Sequence, residues 1–358
     1  MKIGILTFTN TLNYGATLQS FALQKKLVSL GHDAEIIQYT NQRILEKENF
    51  SLKSHLSPKT ILSWLIMGKG MASKKKKFEK FDFENLNVGM KLNSTSHAEI
   101  NNYYDKFITG SDQVWNMSIT HQDWHYFLDF VEDPNKKMSY APSFGNDVLP
   151  DDCRKTVTNY LKDFHSISVR ETSGQKIIYD LTGTWAQVVV DPTLLLSKEE
   201  WERNINFRPN LEHYIIVYIP HNKKLVFNFV KKLQEKTKLP VVYLSISPRY
   251  EFGVQTIFDA SPEEFLGWIR HADYVVTGSF HGAAFSLNFE KQFFYESTRS
   301  IEIEGRIENL VRMTGTEDRC ITSYDSHLIN EIDYEQVRII LDKERKESST
   351  WLASTLNK

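Results

Sequence analysis

The sequence predicts an α/β protein made of two doubly wound halves, and three observations carry that reading. Short β-like runs alternate with amphipathic helical runs, the pattern of repeated βαβ units whose parallel strands are covered by helices. The alternation breaks over residues 42–90 and starts again near residue 212 as a second series. At 358 residues the chain is longer than one hydrophobic core usually serves. The predicted division is an N-terminal domain over 1–205, with a helical insert at about 42–90, and a C-terminal domain over 206–358 that ends in a helix. Ligands of such sheets bind beyond the carboxyl ends of the strands, so the two halves are expected to face a cleft.

In the first series "KIGILTF" reads as a strand and "TNTLNYGA" as the loop after it. "TLQSFALQKKLVSLG" has apolar residues at helical spacing and closes on Gly31, a natural position for a helix C-terminus. "AEIIQYT" reads as the second strand. Residues 42–90 are mostly helical in composition and hold the lysine-rich "KGMASKKKKFEKF". Strand-like runs return in "YYDKFITGS", "KKMSYAPS", "HSISVRE" and "AQVVVDPTLLL". "LSKEEWERN" predicts a helix with Ser197 and Glu200 as a capping box. The second series has strands in "HYIIVYIP", "PVVYLSIS", "DYVVTGS" and "KQFFYE". Its helices are "KKLVFNFVKKLQEKTK", "SPEEFLGWIRHA", "HGAAFSLNF", "RIENLVRMTG" and the tail.

A hydrophobic content of 41% and a charged content of 25% are ordinary for a globular protein. A formal net charge of −2 gives no global argument for nucleic acid. The two cysteines, Cys153 and Cys320, make neither a disulfide framework nor a metal motif and fit a reducing compartment. "MKIGILTFTN" lacks the apolar stretch and cleavage site of a secretory signal, and "TILSWLIMG" is too short to span a bilayer. A cytoplasmic protein is expected. The lysines at 74–77 read first as a solvated helix face and second as a contact with the anionic inner face of the membrane. Aromatic residues make up 13% and serve cores first, but they also line sugar and nucleotide clefts.

Four stretches combine chemistry-bearing residues with a strand–helix junction. In "TNTLNYGATLQ", Asn13, Tyr14 and Gly15 precede a helix whose free N–H groups favour an anion or a polar sugar. The stretch lacks the GxGxxG spacing of a dinucleotide site. In "FITGSDQVWN", Ser111, Asp112, Gln113, Trp115 and Asn116 crowd one strand end. Hydrogen-bonding side chains beside an indole suit a sugar ring; the competing reading is a helix cap with a core tryptophan. In "SISVRE", Arg170 offers a planar fork to phosphate or carboxylate, or forms a salt bridge with Glu171 or another carboxylate. Asp191, in "VVVDPTLLL", sets a turn. In "DYVVTGSFHGAAFSLNF", His281 stands among Gly278, Ser279 and Gly282 at a helix start. A histidine there is a candidate general acid or a cationic clamp on phosphate.

Taken in order, "NYGATLQSFALQ", "ITGSDQVWN", "YAPSFG", "SVRETSG", "VVDPTLLLSKEEW", "SFHGAAFSLNFEKQF" and "GRIENLV" resemble the polysaccharide pyruvyl transferase family. The resemblance spans roughly residues 9–312, and "GSDQVWN" and "SFHGAAFS" are its most specific parts. It implies two Rossmann-like domains facing a cleft, a GT-B-like fold. It implies transfer of a pyruvyl group from phosphoenolpyruvate to two hydroxyls of a polysaccharide sugar or its lipid-linked precursor, as a cyclic ketal. Phosphoenolpyruvate is then a co-substrate, and no metal or other cofactor is implied. By the same resemblance His281 and Arg170 are catalytic, with His281 donating a proton or contacting the departing phosphate. Ser279, Gly282 and Arg306 would bind the donor. Asn13, Tyr14, Gly15, Ser111, Asp112, Gln113, Trp115 and Asn116 would bind the acceptor. The chain departs from an Arg-Leu-His pattern found in some members, since Ser279 and Phe280 precede His281, which turns attention to Arg306 or Arg249 as the phosphate partner. The runner-up is a nucleotide-sugar glycosyltransferase of the same fold, which would want a carboxylate such as Glu290 or Glu296 for the donor ribose. The third reading is a non-catalytic glycan-binding protein.

Overall fold

The computed structural model describes residues 1–44, 58–93, 95–219, 224–245, 254–297, 305–321 and 331–357, without the side chains of 58–67 and 224. It holds two compact units. One comprises Met1–Asn49, Asp82–Leu196 and Asp342–Lys358; the other comprises Phe50–Phe81 and Ser197–Leu341.

The first unit is built on β1 (Lys2–Leu6), β2 (Asp33–Gln38), β3 (Val88–Lys91), β4 (Lys106–Thr109) and β5 (Lys137–Ser139). They form one sheet in the order β3-β2-β1-β4-β5, every pair parallel. The central strand β1 sets Ile5 beside Ile36 of β2 and Ile108 of β4, all buried. Continuous apolar runs of this kind belong to sheets covered on both faces. Two short strands, β6 (Ser168–Val169) and β7 (Gln187–Val188), pair in parallel as a separate sheet.

The second unit repeats the plan. Its strands are β8 (Ile215–Tyr218), β9 (Val241–Leu244), β10 (Gln255–Ile257), β11 (Tyr274–Thr277) and β12 (Gln292–Tyr295). Their order, β10-β9-β8-β11-β12, has the same topology as the first sheet and is again all parallel.

The helices follow local chemistry closely. Helix Tyr14–Ser29 starts at Asn13, whose side chain accepts from the Gly15 and Ala16 N–H groups, and Gly31 takes φ +86° two residues past its end. The predicted capping box forms at Ser197–Glu200, and a second one, at Ser261–Glu264, starts the helix Pro262–His271. Within 42–90 the helical reading holds for Pro58–Asn85 but not for the edge strand β3. The lysine run is only partly a solvated face. Lys74 is buried beside the Phe78 ring, and Lys77 pairs with Glu264 at 2.9 Å and with Asp259 at 3.7 Å, while Lys75 and Lys76 are exposed.

Candidate functional site

In each sheet the chain winds outward from one central strand and then returns to its other side, so strand order reverses at β1/β4 and at β8/β11. Such switch points leave a crevice beyond the carboxyl ends of the two strands. The predicted acceptor residues lie at the ends of β1 and β4, and the predicted donor residues centre on the end of β11.

At the first switch point the side chains are closely packed. Asn13 is exposed and spends its side-chain oxygen on capping, at 2.9 Å from Gly15 N. Tyr14 is buried. Ser111 is buried; its N–H donates to Gln19 Oε1 at 3.0 Å and its hydroxyl to Ala141 O at 2.8 Å. Gln19 also donates to the Thr7 hydroxyl at 2.8 Å, so it fastens β1 to the turn after β4. Sequence reading passed over Gln19, although an amide within an apolar helical run was a visible signal. Asp112 has φ +66°. Gln113 is half-buried and accepts from Asn116 Nδ2 at 2.9 Å. Both amides lie against Gly145, which has φ +68°; a Cβ there would sit 2.2 Å from Gln113 Oε1. Trp115, expected as a sugar platform, is a core side chain instead. It is fully buried, stacked on Phe127 at 5.0 Å, and its indole N–H donates to Tyr126 O at 2.9 Å.

Arg170 lies in the same unit, beyond β6, and its ion pairs are with carboxylates of the chain. Its guanidinium is 2.8 Å from Asp191 Oδ2, 3.4 Å from Glu171 Oε2 and 3.7 Å from Asp112 Oδ1. Burial alone would disfavour the charged form, but Asp191, Glu171 and Asp112 hold its pKa above the usual arginine value. Asp191 is itself buried; its Oδ1 accepts from Thr193 N at 3.0 Å and from the Thr193 hydroxyl at 2.7 Å, and its Oδ2 from Ser111 Oγ at 3.2 Å.

The second switch point is built on β11 and the helix Phe280–Asn288, every residue of which is buried. Ser279 caps that helix, accepting from Gly282 N at 3.5 Å. The Thr277 hydroxyl donates to Tyr218 O at the end of β8, at 2.7 Å, and accepts from Ser279 N at 3.0 Å. The Tyr218 phenol, whose pKa burial raises far above the usual range, bonds the Ser279 side chain. His281 is 6% exposed, with its ring edge-on to Phe280 at 5.1 Å. Gly282 makes this junction possible, because a Cβ there would stand 2.2 Å from Thr277 Oγ1. Gly282→Ala must push apart the strand end and the helix start. It is expected to cost about 1–3 kcal/mol, as overpacking of a core does. Denaturant unfolding checks this, and an unchanged midpoint would count against the close approach.

Next to this junction stands Glu296, buried at the end of β12, its N–H bonded to Thr277 O at 2.9 Å. A Cβ on Gly278 would be 4.0 Å from Glu296 Oε2, so the carboxylate borders the glycine turn. Glu290, the other candidate carboxylate, is engaged by Lys198 at 2.7 Å and Arg338 at 2.9 Å. Arg306 is half-buried at the first position of helix Arg306–Thr314. Arg249 lies outside the described residues. Among the described residues no group of three or more His, Cys, Asp or Glu could hold a metal ion, and no helix is long and apolar enough to cross a membrane.

A family model described as polysaccharide pyruvyl transferase matches residues 13–299, a span that takes in both switch points. No curated protein matches the sequence. Among solved structures, UDP-GlcNAc 2-epimerase of Methanocaldococcus jannaschii, in complex with UDP-GlcNAc and UDP, matches at a TM-score of 0.50 and 13% identity, covering 100% of this chain and 99% of that one. S. aureus MnaA with UDP matches at 0.47 and 12%, covering 97% and 90%. E. coli ADP-heptose LPS heptosyltransferase II matches at 0.40 and 10%, covering 97% and 99%. The first likeness is one of fold: two parallel sheets flanked by helices, a GT-B-like pair of Rossmann-like units.

Proposed function

The chain belongs to the polysaccharide pyruvyl transferase family, and from that premise we propose that it moves a group from a phosphate-bearing donor, held at the end of β11, onto a sugar held at the strand ends of the first unit. The observation that carries the proposal is the family match over 13–299, which includes both strand-end clusters. Membership supports a pyruvyl-transferase-type reaction with phosphoenolpyruvate as co-substrate. In that reaction the donor's methylene carbon is protonated and its ketal carbon becomes oxocarbenium-like. One sugar hydroxyl adds to that carbon, and a second displaces phosphate. His281 serves as proton donor or as contact to the leaving phosphate, and the N-terminus of helix Phe280–Asn288 stabilises the phosphate charge. The acceptor is a glycan or a lipid-linked sugar, which would bring the protein to a membrane surface.

The second reading keeps the transfer but replaces the donor with a nucleotide sugar, and the structural observations favour it. Glu296 is a buried carboxylate beside the glycine turn, where a donor ribose would seek a hydrogen-bond acceptor. Ser279 stands where an arginine would clamp a compact phosphate, and Arg170 already has three carboxylate partners. The M. jannaschii structure of like fold holds UDP-GlcNAc and UDP.

One experiment decides. The protein is offered phosphoenolpyruvate or a set of nucleotide sugars with a panel of glycan acceptors, and product masses are followed together with release of phosphate or nucleotide. Ketal formation with phosphate release establishes the first donor, and glycoside formation with nucleotide release the second. Glycan binding with neither donor consumed would overturn the transferase reading.

A further inference from the structure

A cluster of titratable side chains at the carboxyl edge of the first sheet is absent from the site described above. Beyond β2, the Tyr39 ring lies flat against His125, with centroids 4.9 Å apart and planes 10° from parallel. The Tyr39 hydroxyl donates to Asp123 Oδ2 at 2.6 Å, and Asn41 Nδ2 donates to the same oxygen at 2.8 Å. Asp123 Oδ1 and Asp129 Oδ1 each lie 3.5 Å from His125 Nδ1. The His125 side chain is 34% exposed.

This is how an imidazole is held when its two nitrogens have different tasks. Stacking on Tyr39 sets the ring plane. Two carboxylates on the Nδ1 side favour the tautomer protonated there, which leaves Nε2 as the nitrogen with a free lone pair in the neutral ring. Both carboxylate contacts are to Nδ1, and Nε2 is the ring's other nitrogen. Asp123 does not need the imidazole to be satisfied, since Tyr39, Asn41 and the His125 backbone N–H at 3.2 Å already serve it. The cluster is also tied to the loop after β1 that leads to Asn13. Thr9 Oγ1 donates to Tyr39 O at 2.5 Å and Asn10 Nδ2 to Thr40 Oγ1 at 3.1 Å.

We propose that His125 is the base that takes the proton from an acceptor sugar hydroxyl, an inference that rests on the placement of the acceptor in the first unit. In the step that expels phosphate the acceptor O–H bond breaks and its proton passes to Nε2. The oxygen bonds to the donor carbon, and the carbon–oxygen bond to phosphate breaks, with its electron pair leaving on the phosphate oxygen. The proton returns to solvent as the imidazole is reset. The same step serves either donor. The groups around the imidazole are Tyr39 after β2, His97 at the start of helix His97–Tyr103, and Asp123 and Asp129 in its own segment. Lys137 and Tyr160 act on Asp129 from further off.

The test is His125→Gln in the full chain, with whichever donor the wild type consumes. The expected result is a fall in kcat of about 10²- to 10⁴-fold, the usual worth of a general base, with the acid limb of the pH–rate profile lost and donor affinity kept. Added imidazole should partly restore His125→Gly. A His125→Gln variant with wild-type kcat and pH profile overturns the inference and leaves the transferase reading standing. If the wild type consumes neither donor, the transferase reading has failed, and NMR of the His125 ring then judges the inference separately. Acceptor glycans that shift its signal support its place at the sugar, and glycans that bind without shifting it overturn that place.

Discussion

Replacing Asp191 by alanine should lower the stability of the first unit by about 3–5 kcal/mol, the range for removing one partner of a buried ion pair. The substitution strips Arg170 of its shortest contact, at 2.8 Å, inside a site where the Arg170 side chain is 3% exposed. It also removes the acceptor of the Thr193 N–H and the Thr193 hydroxyl, while the Ser111 hydroxyl, 3.2 Å from Asp191, keeps Ala141 O at 2.8 Å. Glu171 and Asp112, at 3.4 and 3.7 Å, keep the guanidinium charged but are too far to replace that bond. Asp191→Asn, which keeps the shape and one acceptor oxygen, should cost less. Denaturant unfolding read on the first unit's transition measures both variants. A loss below about 1 kcal/mol in Asp191→Ala, the worth of an exposed pair, would mean that water reaches the cluster and that Arg170 is available to a ligand.

The same cluster shows where sequence reading stops. Helix starts are written locally. Ser197 with Glu200 and Ser261 with Glu264 need no distant partner; the first capping box forms as read, and the second closes the start of a helix whose run was read. The central strands are legible for a similar reason, since burial on both faces forces a continuous apolar run such as that of β8 or β11. Edge strands carry no such constraint. β3 is four residues, "VGMK", none of them buried, and nothing in its composition separates it from the helix before it. Long-range partners are the other limit. That Arg170 meets Asp112 and Asp191 depends on how three chain segments pack, and "SISVRE" alone left salt bridge and ligand fork equally open. The same limit applies to Trp115, whose burial is set by Phe127, Phe144 and Phe164. His125 was passed over because "DWHYFLD" shows an acid near a histidine without showing Tyr39, which lies far away in the chain.

His281→Gln should reduce kcat by about 10²- to 10⁴-fold while the fold is retained, since general acids are worth that much and glutamine nearly fills the volume. The physical case is the company the imidazole keeps. Thr277, Ser279 and Gly282 lock the strand end to the helix start, so His281 is delivered by rigid elements rather than by a mobile loop. Its 6% exposure sets it in a poorly solvated place, where a charge on a leaving phosphate is felt strongly. The two donors make different demands on the ring, and the variant separates them. With phosphoenolpyruvate the donor carbon must gain a proton. Product made in deuterated solvent then carries deuterium in its methyl group, and His281→Gln slows that incorporation together with phosphate release. With a nucleotide sugar no carbon is protonated, and the loss falls on departure of the diphosphate alone. A variant that turns over at the wild-type rate, on the donor the wild type uses, would remove His281 from the chemistry. Its burial against Phe280 would then be all that the junction asks of it.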